Sequence, residues 1–273
     1  MDARLHRRLQ RRGWDRASSA YDRFWGEQLR PVQRLVLGEA APAAGDRVID
    51  VACGTGALTL EMASMVGRDG RVVATDLSPQ MLASAERAAQ DAGAANVEFV
   101  CCGAEDLDVG GFHDVGLCSL GLMYVPDPAA ALAELHRVVR PGGRVALSAW
   151  GRRDRCGFAA VFGIVDAHVT SEVCPHFFSL GSGDALRVAL ERAGFEDVRR
   201  TRFRTDLEHA DGDEAIGAAF SGGPVALADA RFDDATRRRA HGEYLTSIAE
   251  FADGAGGYRI PAEFVVASAR RPA

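Results

Sequence analysis

The sequence predicts an α/β protein with a doubly wound, mostly parallel sheet of seven strands and helical insertions that form a lid. Short, continuously apolar runs such as Val48–Ala52 and Val115–Ser119 alternate with segments of helical apolar spacing. Apolar residues at consecutive positions are typical of parallel strands that are buried on both faces. Strands that alternate with helices require right-handed crossovers, and such crossovers wind a parallel sheet.

The elements follow one another in a regular order up to Trp150. Residues 1–30 are expected to be helical, and further helices are expected near Leu58–Val66, Ser78–Ala89, Asp127–Val139 and Asp184–Ala193. The predicted strands are Val48–Ala52, Val72–Thr75, Val97–Cys101, Val115–Ser119, Arg144–Ala149, Val198–Arg204 and Glu263–Ala269.

Helix boundaries are marked by capping residues. Ser78-Pro79 and Asp127-Pro128 each combine an N-cap side chain with a proline at the first helical position. Pro141-Gly142-Gly143 is expected to stop the helix that begins at Asp127.

The whole chain, residues 1–273, is predicted to form a single domain. Its expected parts are an N-terminal helical cap (1–44), a ligand-binding core (45–150), two substrate-covering insertions (151–180 and 205–257) and a last strand (258–270).

Composition excludes several function classes. All 32 residues counted as Lys+Arg are arginine. The absence of lysine rules out pyridoxal-phosphate enzymes, lysine-based aldolases and Walker-A nucleotide hydrolases, because each needs an amine that arginine cannot supply. A formal net charge of −6 disfavours a general affinity for nucleic acid or anionic membranes.

Six cysteines are present without a CxxC pair, and neither a signal peptide nor a membrane span is visible. The chain is therefore expected to be a reduced, cytoplasmic protein, and no metal site is expected. The expected partner is a small molecule, and the sequence leaves the oligomeric state open.

The end of the first strand carries the pattern of a small-ligand site. Gly54 and Gly56 allow the backbone to approach a ligand at a helix N-terminus. Asp76 ends the second strand, where a carboxylate can accept both hydroxyls of a ribose. A dinucleotide site needs a third glycine, and Thr59 stands at that position. Asp50 inside the first strand repels a pyrophosphate and suits a cationic ligand such as S-adenosylmethionine.

Five segments then resemble the ordered motifs of class I S-adenosylmethionine-dependent methyltransferases. They are VIDVACGTG (48–56), ATDLSPQML (74–82), FHDVGLCSLGLMYVPDP (112–128), RPGGRVALSAW (140–150) and ALRVALERAGFEDV (185–198). Their order and spacing are similar to the small-molecule branch that includes the ubiquinone and menaquinone C-methyltransferases. The resemblance covers residues 45–204 and the last strand, and it implies a Rossmann-like methyltransferase fold.

The resemblance also implies roles for single residues. The methionine end of the cofactor would be held by Asp50, Ala52, Gly54 and Gly56. Cys118 would offer its backbone carbonyl near the cofactor amino group, and Tyr21 would cap the cofactor.

At the other end of the cofactor, Asp76 would take the ribose hydroxyls and Leu77 would lie against the adenine. Ala104 and Glu105 would lie at the adenine edge. Relatives usually have Gly-Asp-Ala where this chain has Cys102-Gly103-Ala104, so an aspartate that would bind the adenine amino group is replaced by Gly103. Glu105 or a backbone carbonyl takes that contact, or the adenine pocket is looser.

Methyl transfer from a sulfonium is an in-line displacement that needs a general base only when the acceptor loses a proton. His176 is the preferred candidate base, because its neighbours Pro175, Phe177 and Phe178 provide an apolar setting that favours the neutral imidazole. His168 and His209 lie in the same irregular stretches.

The acceptor is expected to lie beyond the fourth strand. Met123 and Tyr124 follow that strand and are the candidate acceptor-binding residues, with lid packing as their alternative role. The aromatic residues Trp14, Tyr21, Phe24 and Trp25 either close over the sulfonium or dock an amphipathic helix on the sheet.

Together these features predict an S-adenosylmethionine-dependent methyltransferase. Its acceptor is expected to be small and apolar or aromatic, because the insertions are rich in phenylalanine, with O- or C-methylation in quinone or secondary metabolism. The alternatives are a nicotinamide-dependent oxidoreductase of similar fold and a non-catalytic S-adenosylmethionine-binding partner protein.

Overall fold

The computed structural model describes residues 2–169, 174 and 176–273. Its strands are β1 (Arg47–Val51), β2 (Arg71–Asp76), β3 (Val97–Cys101), β4 (His113–Ser119), β5 (Val139–Trp150), β6 (Glu196–His209) and β7 (Tyr258–Arg270). Its helices are α1 (Ala3–Ala17), α2 (Tyr21–Ala40), α3 (Ala57–Val66), α4 (Pro79–Ala92), α5 (Pro128–Val138), α6 (Ala160–Asp166), α7 (Ala185–Arg192), α8 (Gly212–Phe220), α9 (Gly223–Asp229) and α10 (Asp234–Ser247).

The seven strands form one sheet in the order β3-β2-β1-β4-β5-β7-β6. The first five strands run parallel, and β7 is antiparallel to both of its neighbours, β5 and β6. This arrangement confirms the predicted doubly wound, mostly parallel sheet. The chain order reverses beside β1, so the carboxyl ends of β1 and β4 flank the crevice in which open α/β folds bind ligands.

The predicted helix starts are present with their capping bonds. The Ser78 hydroxyl accepts a hydrogen bond from the backbone N–H of Met81, 3.1 Å away. The Asp127 carboxylate accepts from the backbone N–H groups of Ala129 and Ala130. Because each proline at the first position of these helices has no N–H to satisfy, both helices begin where the sequence indicates.

Several boundaries differ from expectation. The N-terminal helix is divided into α1 and α2 by a turn at residues 18–20. Strand β5 begins at Val139, which pairs with His113, so α5 ends before Pro141-Gly142-Gly143 is reached. Strand β6 continues to His209, five residues into the predicted second insertion, because β7 pairs with it along its full length.

Helix α1 and the insertions lie over the carboxyl ends of the strands, and helix α2 packs on the sheet. Helix α2 packs on β4, β5 and β7, while α1 lies mainly against α9 and α4. The buried core runs without interruption from the sheet into these covering elements. In the described part of the chain, no helix combines the length and apolar character that crossing a bilayer requires.

Candidate active site

Asp50 lies near the carboxyl end of the first strand and has a buried carboxyl group. Its side chain is 1% exposed and accepts a 2.6 Å hydrogen bond from the Thr59 hydroxyl of α3. Burial raises the pKa of Asp50 to about 7, with a further increase from the nearby Asp76 and an opposing effect of the Thr59 bond. A carboxylate in this state is stabilised by a cationic ligand.

Asp76 organises the glycine turn that follows β1. Its two oxygens accept hydrogen bonds from the backbone N–H of Gly54, at 2.9 Å, and of Ser78, at 2.8 Å. Burial raises the pKa of Asp76 to about 6 despite these bonds. Gly54 and Gly56 both have positive φ angles, +59° and +89°, which glycine adopts without steric cost. A Cβ at Gly56 would also lie 2.9 Å from the Ala85 side chain, so the turn packs closely on α4.

Both N-terminal helices are tied to this turn region by aspartates. Asp15 of α1 accepts a 2.7 Å hydrogen bond from the Ser78 hydroxyl at the start of α4. Asp22 of α2 accepts a 2.5 Å bond from the Thr55 hydroxyl between the two glycines. The helical cap is therefore attached directly to the elements that form the ligand site.

A cavity lies between this turn, the carboxyl ends of the strands and helix α1, and its space together with the open solvent at its mouth is about 730 Å³. It is lined by Arg7, Gln10, Trp14, Tyr21, Ala52, Gly54, Asp76, Leu77, Met81, Cys102, Gly103, Ala104, Glu105, Ser119, Leu120, Gly121, Tyr124, Val125 and Pro126. We call it the cofactor cavity.

Many of the sequence-predicted residues meet at this cavity. Those that line it are Tyr21, Ala52, Gly54, Asp76, Leu77, Ala104, Glu105 and Tyr124. Asp50, Gly56 and Cys118 are not among its lining residues, and Asp50 and Cys118 are buried in the sheet. Met123 is also buried and lines neither this cavity nor the second cavity described below.

The adenine edge expected from the sequence is closed by an ion pair. Arg7 of α1 lies 3.2 Å from the Glu105 carboxylate, which also accepts from the backbone N–H of Asp127. Gly103 adds no side chain to this wall, and the Arg7 side chain fills the space beside it. Glu105 thus lines the cavity with both of its oxygens already hydrogen-bonded.

A second cavity, of about 570 Å³, adjoins the first and is almost entirely apolar. It is lined by Trp14, Tyr21, Trp25, Leu29, Leu120, Tyr124, Trp150, Phe158, Val161, Phe162, Cys174, Phe177, Ala218, Ala219, Gly222 and Val225. None of these described residues carries a charged side chain. We call this space the aromatic cavity.

Four residues border both cavities, namely Trp14, Tyr21, Leu120 and Tyr124. The ring of Trp14 contacts Tyr124 edge-on at 4.9 Å between centroids and Tyr21 at 5.8 Å. Burial raises the pKa of both tyrosines far above the ordinary value, so their phenols stay protonated at neutral pH. These four residues therefore form an uncharged, mainly aromatic wall between the cofactor cavity and the aromatic cavity.

The other members of the predicted aromatic cluster have different surroundings. Trp25 lines the aromatic cavity and contacts Trp150 edge-on, at 5.9 Å between ring centroids. Phe24 instead packs against Gly217 of α8, where an added Cβ would overlap its ring. The cluster therefore contributes both to the cavity walls and to the docking of α2.

The candidate histidines line neither the cofactor cavity nor the aromatic cavity. His176 is exposed and lines neither cavity, so the apolar setting expected from its neighbours is wrong for its imidazole. The phenylalanines that follow it turn inward, whereas Pro175 lies outside the described residues. His168 contacts the ring of Phe232, and His209 is buried at the end of β6; neither is among the described residues that line the cofactor cavity or the aromatic cavity.

Arg7 and Gln10 were missed by the sequence reasoning although both line the cofactor cavity. With Trp14 they occupy one side of α1 at spacings of three and four residues. That spacing was visible in the sequence, but nothing local indicated that this helix covers the ligand site.

A sequence model of the ubiE/COQ5 methyltransferase family matches residues 27–170, more than half of the chain. The chain is 30% identical over 225 residues to nocamycin O-methyltransferase from Saccharothrix syringae, covering 77% of this chain and 80% of that protein. It is 32% identical over 139 residues to aklanonic acid methyltransferase from Streptomyces sp. (strain C5), covering 50% of this chain and 62% of that protein.

Solved structures show the same fold. The chain is similar to phosphoethanolamine N-methyltransferase 2 from Haemonchus contortus in complex with S-adenosyl-L-methionine, with a TM-score of 0.58 at 17% identity. That likeness covers 95% of this chain and 57% of the other. It confirms the Rossmann-like sheet that the motifs implied. With the match of the family model and of relatives at this identity, the chain belongs to the ubiE/COQ5 methyltransferase family.

Proposed function

We propose that this protein transfers a methyl group from S-adenosylmethionine to a small, uncharged acceptor that is apolar or aromatic. The aromatic cavity carries this proposal, because it adjoins the cofactor cavity and no described residue lining it is charged. An acceptor held there would meet the methyl group at the shared wall of Trp14, Tyr21, Leu120 and Tyr124.

Family membership identifies S-adenosylmethionine as the methyl donor, and the residues present suit it. Asp50 and Asp76 are buried carboxyl groups with raised pKa values. A ligand that carries an ammonium and a sulfonium would place positive charge near them, and this charge would favour their ionised form. Asp76 would hold the ribose, and the Gly54 turn would follow the methionine end. When bound, the cofactor supplies an electrophilic methyl group on a sulfonium.

The protein's contribution to the rate would be alignment in a dry site. Among the described residues, the aromatic cavity has no histidine or carboxylate in its wall, and its tyrosines are neutral. The chain therefore holds the acceptor against the methyl group and excludes water, and no side chain of the wall serves as a general base.

We further propose an O- or C-methylation in quinone or secondary metabolism. Two relatives are named for aklanonic acid and nocamycin, and others for ubiquinone and menaquinone biosynthesis. A cytoplasmic location is also proposed, and the six free cysteine thiols support it.

The test is a methylation assay with a panel of quinols and hydroxylated aromatic compounds. Release of S-adenosylhomocysteine, together with one added methyl group on the acceptor by mass spectrometry, is the expected result. Calorimetry tests the alternative cofactor. Binding of a nicotinamide cofactor without binding of S-adenosylmethionine would refute the proposal. Binding of S-adenosylmethionine with no turnover on any acceptor would instead favour a non-catalytic partner protein.

A further inference from the structure

Gln10 of α1 presents a buried amide to the cofactor cavity. Its side chain is 2% exposed, and it lines the cavity with Arg7 and Trp14. Within the described part of the chain, its carbonyl oxygen Oε1 has no hydrogen-bond partner. Because a buried acceptor without a partner costs free energy, such an atom in a cavity wall indicates a donor on the ligand.

The orientation of the Gln10 amide is fixed by His6, one helical turn earlier. Gln10 Nε2 lies 3.1 Å from Nε2 of the buried His6 ring. An amide nitrogen only donates, so the imidazole nitrogen accepts and the proton of the neutral ring is on Nδ1. Burial lowers the pKa of His6, which favours this neutral form. Gln10 Nε2 is thereby engaged, and Oε1 is left for another partner.

Helix α1 extends along the cofactor cavity in a defined direction. Its Arg7 end lies beside Gly103 and Glu105. Its Asp15 end bonds Ser78, next to the ribose carboxylate Asp76. Gln10 lies one turn from Arg7, between these two ends, and it lines the cofactor cavity.

Among the side chains at this edge, the Glu105 carboxylate is paired with the Arg7 guanidinium, and Arg7 itself has only donors. Among the side chains described in the cavity wall, Gln10 Oε1 is a buried acceptor with no bond of its own.

From this geometry we infer that Gln10 Oε1 accepts a hydrogen bond from the adenine amino group of S-adenosylmethionine, with His6 as the positioning residue. The inference rests on the proposed function, since it names a binding residue for the cofactor of that reaction. Gln10 would then select adenine over purines that have no donor at this position.

The experiment measures binding of two ligands by calorimetry: S-adenosylhomocysteine and its analogue with hydrogen in place of the adenine amino group. The intact protein is expected to bind the analogue about tenfold more weakly. Gln10→Leu is expected to bind S-adenosylhomocysteine about tenfold more weakly and to lose the preference between the ligands. Gln90→Leu, on the exposed surface of α4, is the matched control and keeps both affinities.

Two results would overturn the inference: equal binding of both ligands by the intact protein, or an unchanged preference in a folded Gln10→Leu protein. The first needs no variant, so a folding defect cannot obscure it. If the intact protein binds neither ligand, the proposed function fails and the inference fails with it. Binding of S-adenosylhomocysteine without a role for Gln10 leaves the proposed function standing.

Discussion

Gly13 of α1 and Gly223 of α9 meet where the two helices cross. A Cβ at Gly13 would overlap the backbone of Gly223 and approach the nitrogen of Pro224 to 2.6 Å. Trp14 then packs on Gly223, with ring atoms 3.0–3.3 Å from where a Cβ would lie. This contact between two glycines holds the cavity-lining side of α1 in place.

Gly13→Ala is expected to push α1 away from α9. We expect a loss of about 1–3 kcal/mol in the free energy of unfolding and weaker binding of S-adenosylhomocysteine, measured by denaturant titration and calorimetry. Gly38→Ala in α2 is the control, because no atom lies within 4 Å of the added Cβ. That substitution should be neutral or stabilising. Equal behaviour of the two variants would contradict the close crossing.

Asp76 is expected to control cofactor affinity more than stability. Asp76→Ala removes the proposed ribose acceptor and the bonds to Gly54 and Ser78, so affinity for S-adenosylhomocysteine should fall by ~10–100-fold with the fold retained. Asp76→Asn keeps one oxygen acceptor and should lose less. Asp91→Ala on the surface of α4 serves as the control. Unchanged affinity in Asp76→Ala would mean that the ribose assignment is wrong.

Asp50 makes the unliganded protein less stable as the pH rises. Its pKa increases from 3.8 to about 7 on folding, so between these values the folded state binds a proton that the unfolded state has released. The free energy of unfolding therefore decreases as the pH rises through this window.

Asp50→Asn removes this charge. We expect it to stabilise the unliganded protein by about 4 kcal/mol at pH 8 and by about 2 kcal/mol at pH 5, measured by thermal unfolding. Affinity for S-adenosylmethionine at pH 8 should fall about tenfold, because the cationic ligand loses a buried counter-charge. Asp91→Asn should change neither quantity. A stability gain that is equal at both pH values would argue against a titrating Asp50.

Substitutions in the two cavities should change the KM values of different substrates. Ala218 lines the aromatic cavity but not the cofactor cavity. Ala218→Leu is therefore expected to raise the KM for the acceptor about tenfold, with little change in the KM for S-adenosylmethionine. Leu77→Ala, confined to the cofactor cavity, should show the reverse pattern. Ala92→Leu, on the exposed side of α4, provides the matched control. An increase in both KM values for Ala218→Leu would mean that the aromatic cavity does not hold the acceptor alone.

Much of the fold could be predicted from local sequence. The strand periodicity and the capped starts of α4 and α5 depend on short-range chemistry. The division between α1 and α2 was not visible, because apolar spacing continues through the turn at residues 18–20. The end of β6 was also missed, because its extent depends on pairing with β7, which begins only at Tyr258.

The sequence by itself predicted the cofactor half of the candidate site. Asp50 and Asp76 lie at the ends of apolar strand segments, and Gly54 and Gly56 have the positive φ angles that a glycine turn needs, so short sequence patterns mark all four positions. Tertiary structure decided what covers that half: His176 lies at the surface, and Gln10 lies in the cavity wall. The physical reason is that a lid residue's role depends on helix crossings such as that of Gly13 and Gly223, and those contacts join segments far apart in the chain.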